Sequence, residues 1–354
     1  MKVERLELED FTAFEDVQFE FCPGINVFIG ANSTGKTHVM KAIYTLLKVC
    51  EQVHLKEISS KEKIEEMVQE KLQGVFKPDS LGRLVRRGKG RHSGEIHLVY
   101  AGLSLKMNLT TQSNVHLEYD KLLRPESSVY LPAREFLSIN EGFIAAYLKR
   151  ETAFDETFFD LSVALNSQPL SAGRRETEIK DLVEPLEKVI GGKVTQKQGR
   201  FYVRLSEGNL EAPLVSEGYL KLGGLIYLIN NGSLTQNGVL FWDEPEANLN
   251  PKAVSVVVKV LRTLAASGVQ IFIATHDYLL SQKLSLLVEY PSDTDAAVKF
   301  FSLFKPNRRK GVQVEAGDTL VDIEHNPILE EFAAHYDQEL ELFRKASSED
   351  MDEA

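Results

Sequence analysis

Cysteine is scarce. Only Cys22 and Cys50 are present, so a disulfide framework is excluded as the basis of the fold. Cys50 has His54 one helical turn on, but two potential ligands fall short of a zinc site, and both thiols read as buried or incidental groups in a reducing compartment. Long hydrophobic runs are missing too: no stretch approaches the ~18 apolar residues of a membrane span, and the start Met1-Lys2-Val3-Glu4 has no apolar signal core. Secretion and membrane insertion are therefore not expected, and a cytosolic location is. Positive charge is in deficit as well, 41 Lys plus Arg against 52 Asp plus Glu, and the net charge of -11 opposes attraction of nucleic acid to the whole surface. Any DNA or RNA contact must be local. The candidate patches are Arg83, Arg86, Arg87, Lys89, Arg91 and His92 in a Gly-rich stretch, and Lys305, Arg308, Arg309 and Lys310 around a Pro-Asn turn. A solvated loop explains the first cluster as well as nucleic acid does, and the acidic tail from Ser347 to Glu353 reads as a solvated end.

What is there is an ordinary globular composition, 43% hydrophobic and 26% charged, with length enough for one large or two modest domains. Its most informative segment is Gly30-Ala31-Asn32-Ser33-Thr34-Gly35-Lys36-Thr37, set between the apolar run Ile25 to Ile29 and an amphipathic helix carrying Val39, Met40, Ile43, Leu46 and Leu47 on one face. This is a P-loop. Small residues let successive backbone N–H groups converge on phosphate oxygens, and the helix that follows aims its positive end at them. Gly30, Asn32, Ser33, Thr34, Gly35, Lys36, Thr37 and His38 form the candidate nucleotide-binding set; Lys36 would reach the terminal phosphates of ATP, and Thr37 would place its hydroxyl on Mg²⁺.

Strand-like alternation at Leu6 and Leu8, and at Val17, Phe19 and Phe21, precedes the P-loop strand. Glu51 to Gln73 is charged and expected to be helical, and Gly94 to Leu117 alternates as strands do. Ser128 to Leu131 is a strand that ends at Pro132, and Glu135 to about Ile190 is expected to be helical with a polar break at Ser167 to Arg175. A hairpin over Lys193 to Leu205, turning near Gly199, leads back to alternating helices and strands after Pro213. That alternation predicts a parallel sheet covered by helices.

Val239-Leu240-Phe241-Trp242-Asp243-Glu244-Pro245 is an apolar strand ending in two carboxylates, the place for a Walker B motif. Hydrolysis needs a carboxylate that holds Mg²⁺, assigned to Asp243, and another that positions or deprotonates the attacking water, assigned to Glu244. More than half the chain separates Lys36 from Asp243, so an inserted module is required. Near its end, Ser216-Glu217-Gly218-Tyr219 opens a helix, and Ser216 and Gly218 at a helix N-terminus offer a second phosphate-binding element.

This order resembles the ABC-type ATPase family in the branch that includes RecF, SMC and OLD proteins, where a shortened Ser-x-Gly signature replaces the longer transporter form. In appearance the chain is similar to standalone OLD-like bacterial defence ATPases. The resemblance covers most of the chain through His276 and implies an α/β P-loop NTPase of ABC-ATPase type, with a β-rich N-terminal half, a parallel sheet with helices and an inserted helical subdomain. It implies that two heads sandwich two nucleotides, with Ser216 and Gly218 closing on the ATP of a partner, that His276 is a switch histidine for the γ-phosphate or the lytic water, and that Asn248-Leu249-Asn250-Pro251 is the D-loop. Where the family places a Q-loop glutamine, this chain reads Pro132-Ala133-Arg134-Glu135; Arg134 either contacts phosphate or pairs with Glu135. Phe11 and Phe14 lie near the adenine or, the simpler reading, in the core.

The expected divisions are an N-terminal ATPase lobe over 1–133, an inserted helical subdomain and hairpin over 134–212, a C-terminal lobe over 213–304, and an extension with an acidic tail over 305–354. The expected activity is ATP hydrolysis by a homodimer formed through ATP that switches a separate effector, such as a nuclease or toxin, in anti-phage defence. The chain after His276 is expected to be too short for a Toprim nuclease domain. The competing expectation is a RecF-like DNA-binding ATPase in DNA repair.

Overall fold

The computed structural model describes residues 1–88, 90, 92–167, 180, 183–184, 186–188, 191–197, 199–205, 208–291, 296–306 and 311–352, the side chains of 344–352 excepted. Strands β1 (Val3–Glu9) and β2 (Asp16–Glu20) pair antiparallel, with Leu6, Leu8, Val17 and Phe19 turned into the core as their alternation requires. Strand β3 (Ile25–Gly30) is buried at every position, the mark of a strand covered on both faces. Helix α1 (Lys36–Leu55) follows the P-loop directly. The charged stretch from Glu51 is not one helix: α1 ends at Leu55 and α2 (Lys61–Phe76) begins behind Ser60, whose hydroxyl accepts the Lys63 N–H. Strands β4 (Ser93–Tyr100), β5 (Leu103–Thr110) and β6 (Val115–Tyr119) then extend the first pair into a five-stranded antiparallel sheet, ordered β2-β1-β4-β5-β6.

After β7 (Ser128–Leu131) come the short helices α3 (Phe143–Leu148) and α4 (Glu156–Leu165). Beyond them the polar break and the end of the helical stretch lie largely outside the described residues. The hairpin forms as β8 (Lys193–Lys197) and β9 (Arg200–Leu205), and β10 (Gly208–Glu211) adds a third strand that the sequence reading did not anticipate. Helix α5 (Glu217–Asn230), strand β11 (Val239–Asp243), helix α6 (Pro251–Ala266), strand β12 (Gln270–Ala274) and helix α7 (Tyr278–Glu289) give the expected alternation. Asn250 caps α6 by accepting the Ala253 N–H at 2.9 Å, and Pro251 occupies its first turn. Strands β13 (Val298–Phe304) and β14 (Gln313–Gly317) and the long helix α8 (Pro327–Asp352) complete the chain.

The central sheet is six-stranded, ordered β14-β13-β3-β12-β11-β7 and parallel except for β14 at its edge. Alternate residues of its strands feed two cores. Ile25, Val27, Ile29, Leu240, Trp242, Ile271 and Ile273 face α5 and α6, whereas Phe28, Phe241, Phe272 and Phe301 face α1 and the antiparallel sheet. Helix α4 is docked on α1 and α2 by charges: Lys71 of α2 meets Glu156 at 2.7 Å and Asp160 at 2.6 Å, and Lys41 of α1 meets Asp155 at 2.6 Å. Tyr44 also donates to Asp160 at 2.7 Å. Because β12 lies between β3 and β11, the carboxyl ends of these three strands deliver the P-loop, the acidic pair and His276 to one rim, where parallel α/β sheets bind their ligands. No helix among the described residues is long and apolar enough to cross a membrane.

Candidate functional site

The P-loop is shaped by close packing. Gly30 has φ 146°, and a Cβ there would stand 2.4 Å from the Leu303 carbonyl oxygen of β13. Gly35 has φ 95°, and its Cβ would fall 2.7 Å from the Phe14 ring, so neither position admits a side chain. Thr34 closes the turn by donating to the Ala31 carbonyl at 2.9 Å, and Asn32 and Ser33 stand exposed at the tip. Lys36 is 8% exposed, and its ammonium donates to the Gly30 and Ala31 carbonyls at 2.7 and 3.0 Å. Burial lowers its pKa against the opposing pull of Glu244 and Asp243. The first bond of α1 runs from the Val39 N–H to the Gly35 carbonyl, so the N–H groups ahead of it head the helix toward the loop. His38 offers only its backbone there. Its ring packs edge-on to Phe76 at 5.6 Å, and burial holds its pKa down to about 4.

Beside the loop, the Thr37 hydroxyl donates to the Asp243 carboxylate at 3.0 and 3.3 Å, and the Tyr130 hydroxyl reaches the same carboxylate at 3.3 Å. Burial raises the Asp243 pKa, with the Thr37 bond opposing it. The pair suits magnesium: two oxygens each about 2.1 Å from the ion and at right angles around it lie about 3 Å apart, close to the Thr37–Asp243 spacing. Thr37 and Asp243 open onto a cleft of about 470 Å³ that Lys41, Tyr130, Arg134 and Phe154 also line.

Glu244 sits at φ 45° just past the strand, held by its N–H to the Ala274 carbonyl at 2.8 Å. Its carboxylate is 3.3 Å from His276 Nδ1, so the two residues expected to act on the lytic water are neighbours. Thr275 anchors the histidine turn through its N–H to the Phe28 carbonyl and its hydroxyl to Glu246 at 2.6 Å. Sequence reasoning missed Glu246, which is 7% exposed with one oxygen unpartnered among the described residues and a pKa raised by burial. It also missed Lys221 of α5, which donates to the carbonyls of Ala247 at 2.7 Å and Glu244 at 3.4 Å. Their signals were weak in sequence, a third acid after Pro245 and a lysine on an apolar helix.

The signature lies apart from this cluster. Ser216 precedes α5 without a side-chain capping bond and is exposed, and a Cβ on Gly218 would meet Leu249 at 2.6 Å. Glu217 accepts from Asn248 at 2.6 Å, which ties the start of α5 to the loop after Glu244. Among the described residues, neither Ser216 nor Gly218 bonds to the P-loop. Phe11 and Phe14 are fully buried core residues. Glu135 is taken up by Ser138, so the local Arg134–Glu135 pair does not form. Of the basic patches, Arg83 pairs with Asp79 at 2.9 Å, and Arg86 with Glu15 at 3.1 Å and Asp10 at 3.6 Å. Lys89, Arg91, Arg308, Arg309 and Lys310 lie outside the described residues.

Comparison with known proteins agrees with this fold. Residues 111–281 match the family model described as "AAA domain, putative AbiEii toxin, Type IV TA system", and residues 1–82 match "AAA ATPase domain". The DNA replication and repair protein RecF of Streptococcus suis is 28% identical over 228 residues, which is 56% of this chain and 58% of that protein. The chain thus spans little more than half the length of this curated relative. RecF of Ligilactobacillus salivarius is 48% identical over 46 residues, or 13% of this chain and 12% of its own. An SMC head bound to the C-terminal winged-helix domain of ScpA superposes with a TM-score of 0.56 at 13% identity, covering 90% of this chain and 98% of that one. Fold and site together define a P-loop ATPase fold of ABC type. Within that class, the fold is similar to that of the SMC head.

Proposed function

We propose that this chain is an ATP-binding and ATP-hydrolysing head that dimerises on ATP and switches a separate effector, a nuclease or toxin, in bacterial anti-phage defence. The observation that carries the ATPase reading is the Thr37–Asp243 pair with Glu244 and His276 side by side at the next strand end. Lys36 and the N–H groups heading α1 would hold the β and γ phosphates, and Thr37 and Asp243 would hold Mg²⁺. Bound there, the ion supplies positive charge against the phosphate oxygens. Glu244 would take the proton of the attacking water, and His276 would orient that water or the γ-phosphate.

Dimerisation is supported by the surface around the signature. Leu214 and Tyr219 flank Ser216 and are 69% and 44% exposed, an apolar rim suited to a second copy of the chain. The family described as putative AbiEii toxin supports a defence or toxin setting. The decisive experiment is Glu244→Gln, which keeps the side chain's shape and removes the base. It should lower kcat by roughly 10²–10⁴, retain ATP binding and accumulate an ATP-dependent dimer in light scattering. Unimpaired hydrolysis would remove Glu244 from the mechanism.

The RecF relatives favour a second reading, a DNA-binding ATPase in repair. The ion pairing of Arg83 and Arg86 and the net charge of -11 weigh against it. Fluorescence anisotropy at low salt discriminates, because phosphate contacts release counterions and weaken steeply as salt rises. Strong salt-dependent binding would establish the second reading, and its absence would leave the first.

A further inference from the structure

Two clefts meet at one side chain. The cleft of about 470 Å³ that holds Thr37 and Asp243, and a neighbouring cleft of about 570 Å³ that reaches Glu217 at the start of α5, share Arg134 and Phe154 in their walls. The guanidinium of Arg134 rests over the Phe154 ring, 5.8 Å from its centroid, and the side chain is exposed. No carboxylate pairs with it among the described residues. The acids nearby are already answered, Asp155 by Lys41 and Thr157, and Asp243 by Thr37 and Tyr130. The loop itself is fixed, because Pro132 is buried and Glu135 is anchored to Ser138. A rigid loop therefore presents one unpaired planar cation, held only by an aromatic face, at the mouth of the cleft that contains the magnesium pair.

We propose that Arg134 is a catalytic residue of ATP hydrolysis: it leaves Phe154, enters the Thr37–Asp243 cleft and donates two N–H groups to oxygens of the γ-phosphate. The proposal rests on the reading of this chain as an ATPase. In the step itself the water oxygen bonds to the γ-phosphorus while the bond to the β,γ-bridging oxygen breaks. The bonding pair departs with ADP, and the proton of the water goes to Glu244. Negative charge spreads over the oxygens of the phosphoryl group in transit, and a guanidinium fork stabilises that charge more than it stabilises bound ATP. Lysine cannot replace it, since an ammonium lacks the two parallel donors.

The test compares wild type, Arg134→Ala and Arg134→Lys in the full chain with MgATP, measuring kcat, ADP affinity and turnover with added millimolar guanidinium chloride. Arg134→Ala should lose on the order of a thousandfold in kcat, keep ADP affinity within about twofold, and regain part of its turnover with guanidinium. Arg134→Lys should stay nearly as slow, and guanidinium should not rescue Glu244→Gln. A kcat for Arg134→Ala within about threefold of wild type, or wild-type turnover by Arg134→Lys, overturns the proposal and leaves the ATPase reading standing. Wild-type protein that binds ATP without hydrolysing it overturns both.

Discussion

At the P-loop the chain answers its own polar groups: Lys36 by two loop carbonyls, Thr34 by Ala31, Thr37 by Asp243. At the start of α5 it does not, for the Ser216 hydroxyl makes no capping bond and Leu214 and Tyr219 stand open beside it. Both regions head helices and both carry glycines with little room for a side chain, so the contrast lies in how each is completed. The first region is finished within one chain, and the second is left open, which is where the proposed dimer would complete it.

The largest expected effect comes from breaking the finished side. Lys36→Ala removes the charged donor proposed to hold the phosphates and should weaken ATP binding by roughly a hundredfold, measured by titration calorimetry, while urea unfolding stays cooperative. Undiminished affinity in folded protein would remove the P-loop assignment. The unfinished side is tested by Gly218→Asp, which sets a carboxylate where a partner's γ-phosphate would come and should abolish hydrolysis while the monomer still binds ATP. Mixed with Lys36→Ala, it should recover some turnover, because one site of the mixed dimer then combines a sound P-loop with a sound signature. Wild-type turnover per molecule should also fall on dilution, and a constant rate from demonstrated monomers would rule out shared sites.

Smaller effects probe what holds the finished side in place. Lys71→Met leaves Glu156 and Asp160 facing each other without a counter-charge and should cost about 3–5 kcal/mol in urea unfolding; a loss near zero would show that the cluster does not hold α4. His38 gives a pH signature. Its folded pKa, about 4, lies below the ordinary 6.5, so the unfolded chain takes up the proton first as pH falls. This contribution to stability is whole above pH 6.5 and is lost as pH drops toward 4, on the order of 2–3 kcal/mol. His38→Phe should flatten the stability profile in that window, and an unchanged profile would place the titration elsewhere.

Where chemistry sits at the end of an apolar run, the sequence was legible. Strands β3, β11 and β12 each lead into candidate site residues, and Asn250-Pro251, a capping residue followed by a first-turn proline, marks the start of α6. Charges that the fold buries were not legible. Lys71 lies on a helix whose sequence shows only that it is charged, and its partners arrive from α4, 85 and 89 residues on. Arg86 read as a free cation because Asp10 and Glu15 are distant in the chain. Glu246 carries no signal of its own in sequence, because the Thr275 it bonds arrives with β12. The break between α1 and α2 carries no proline or glycine, and only the Ser60 cap marks it.

The placement of β3 has a consequence for the making of the protein. Both of its neighbours, β12 and β13, come from the far half of the chain, so during synthesis this wholly buried strand emerges long before either can cover it. The antiparallel sheet of β1, β2, β4, β5 and β6 pairs its strands without a later one, whereas the P-loop strand waits with both edges bare until β12 has left the ribosome and with one bare until β13 has. The nucleotide site is therefore among the last parts to exist, and the nascent chain carries an aggregation-prone segment for most of its translation.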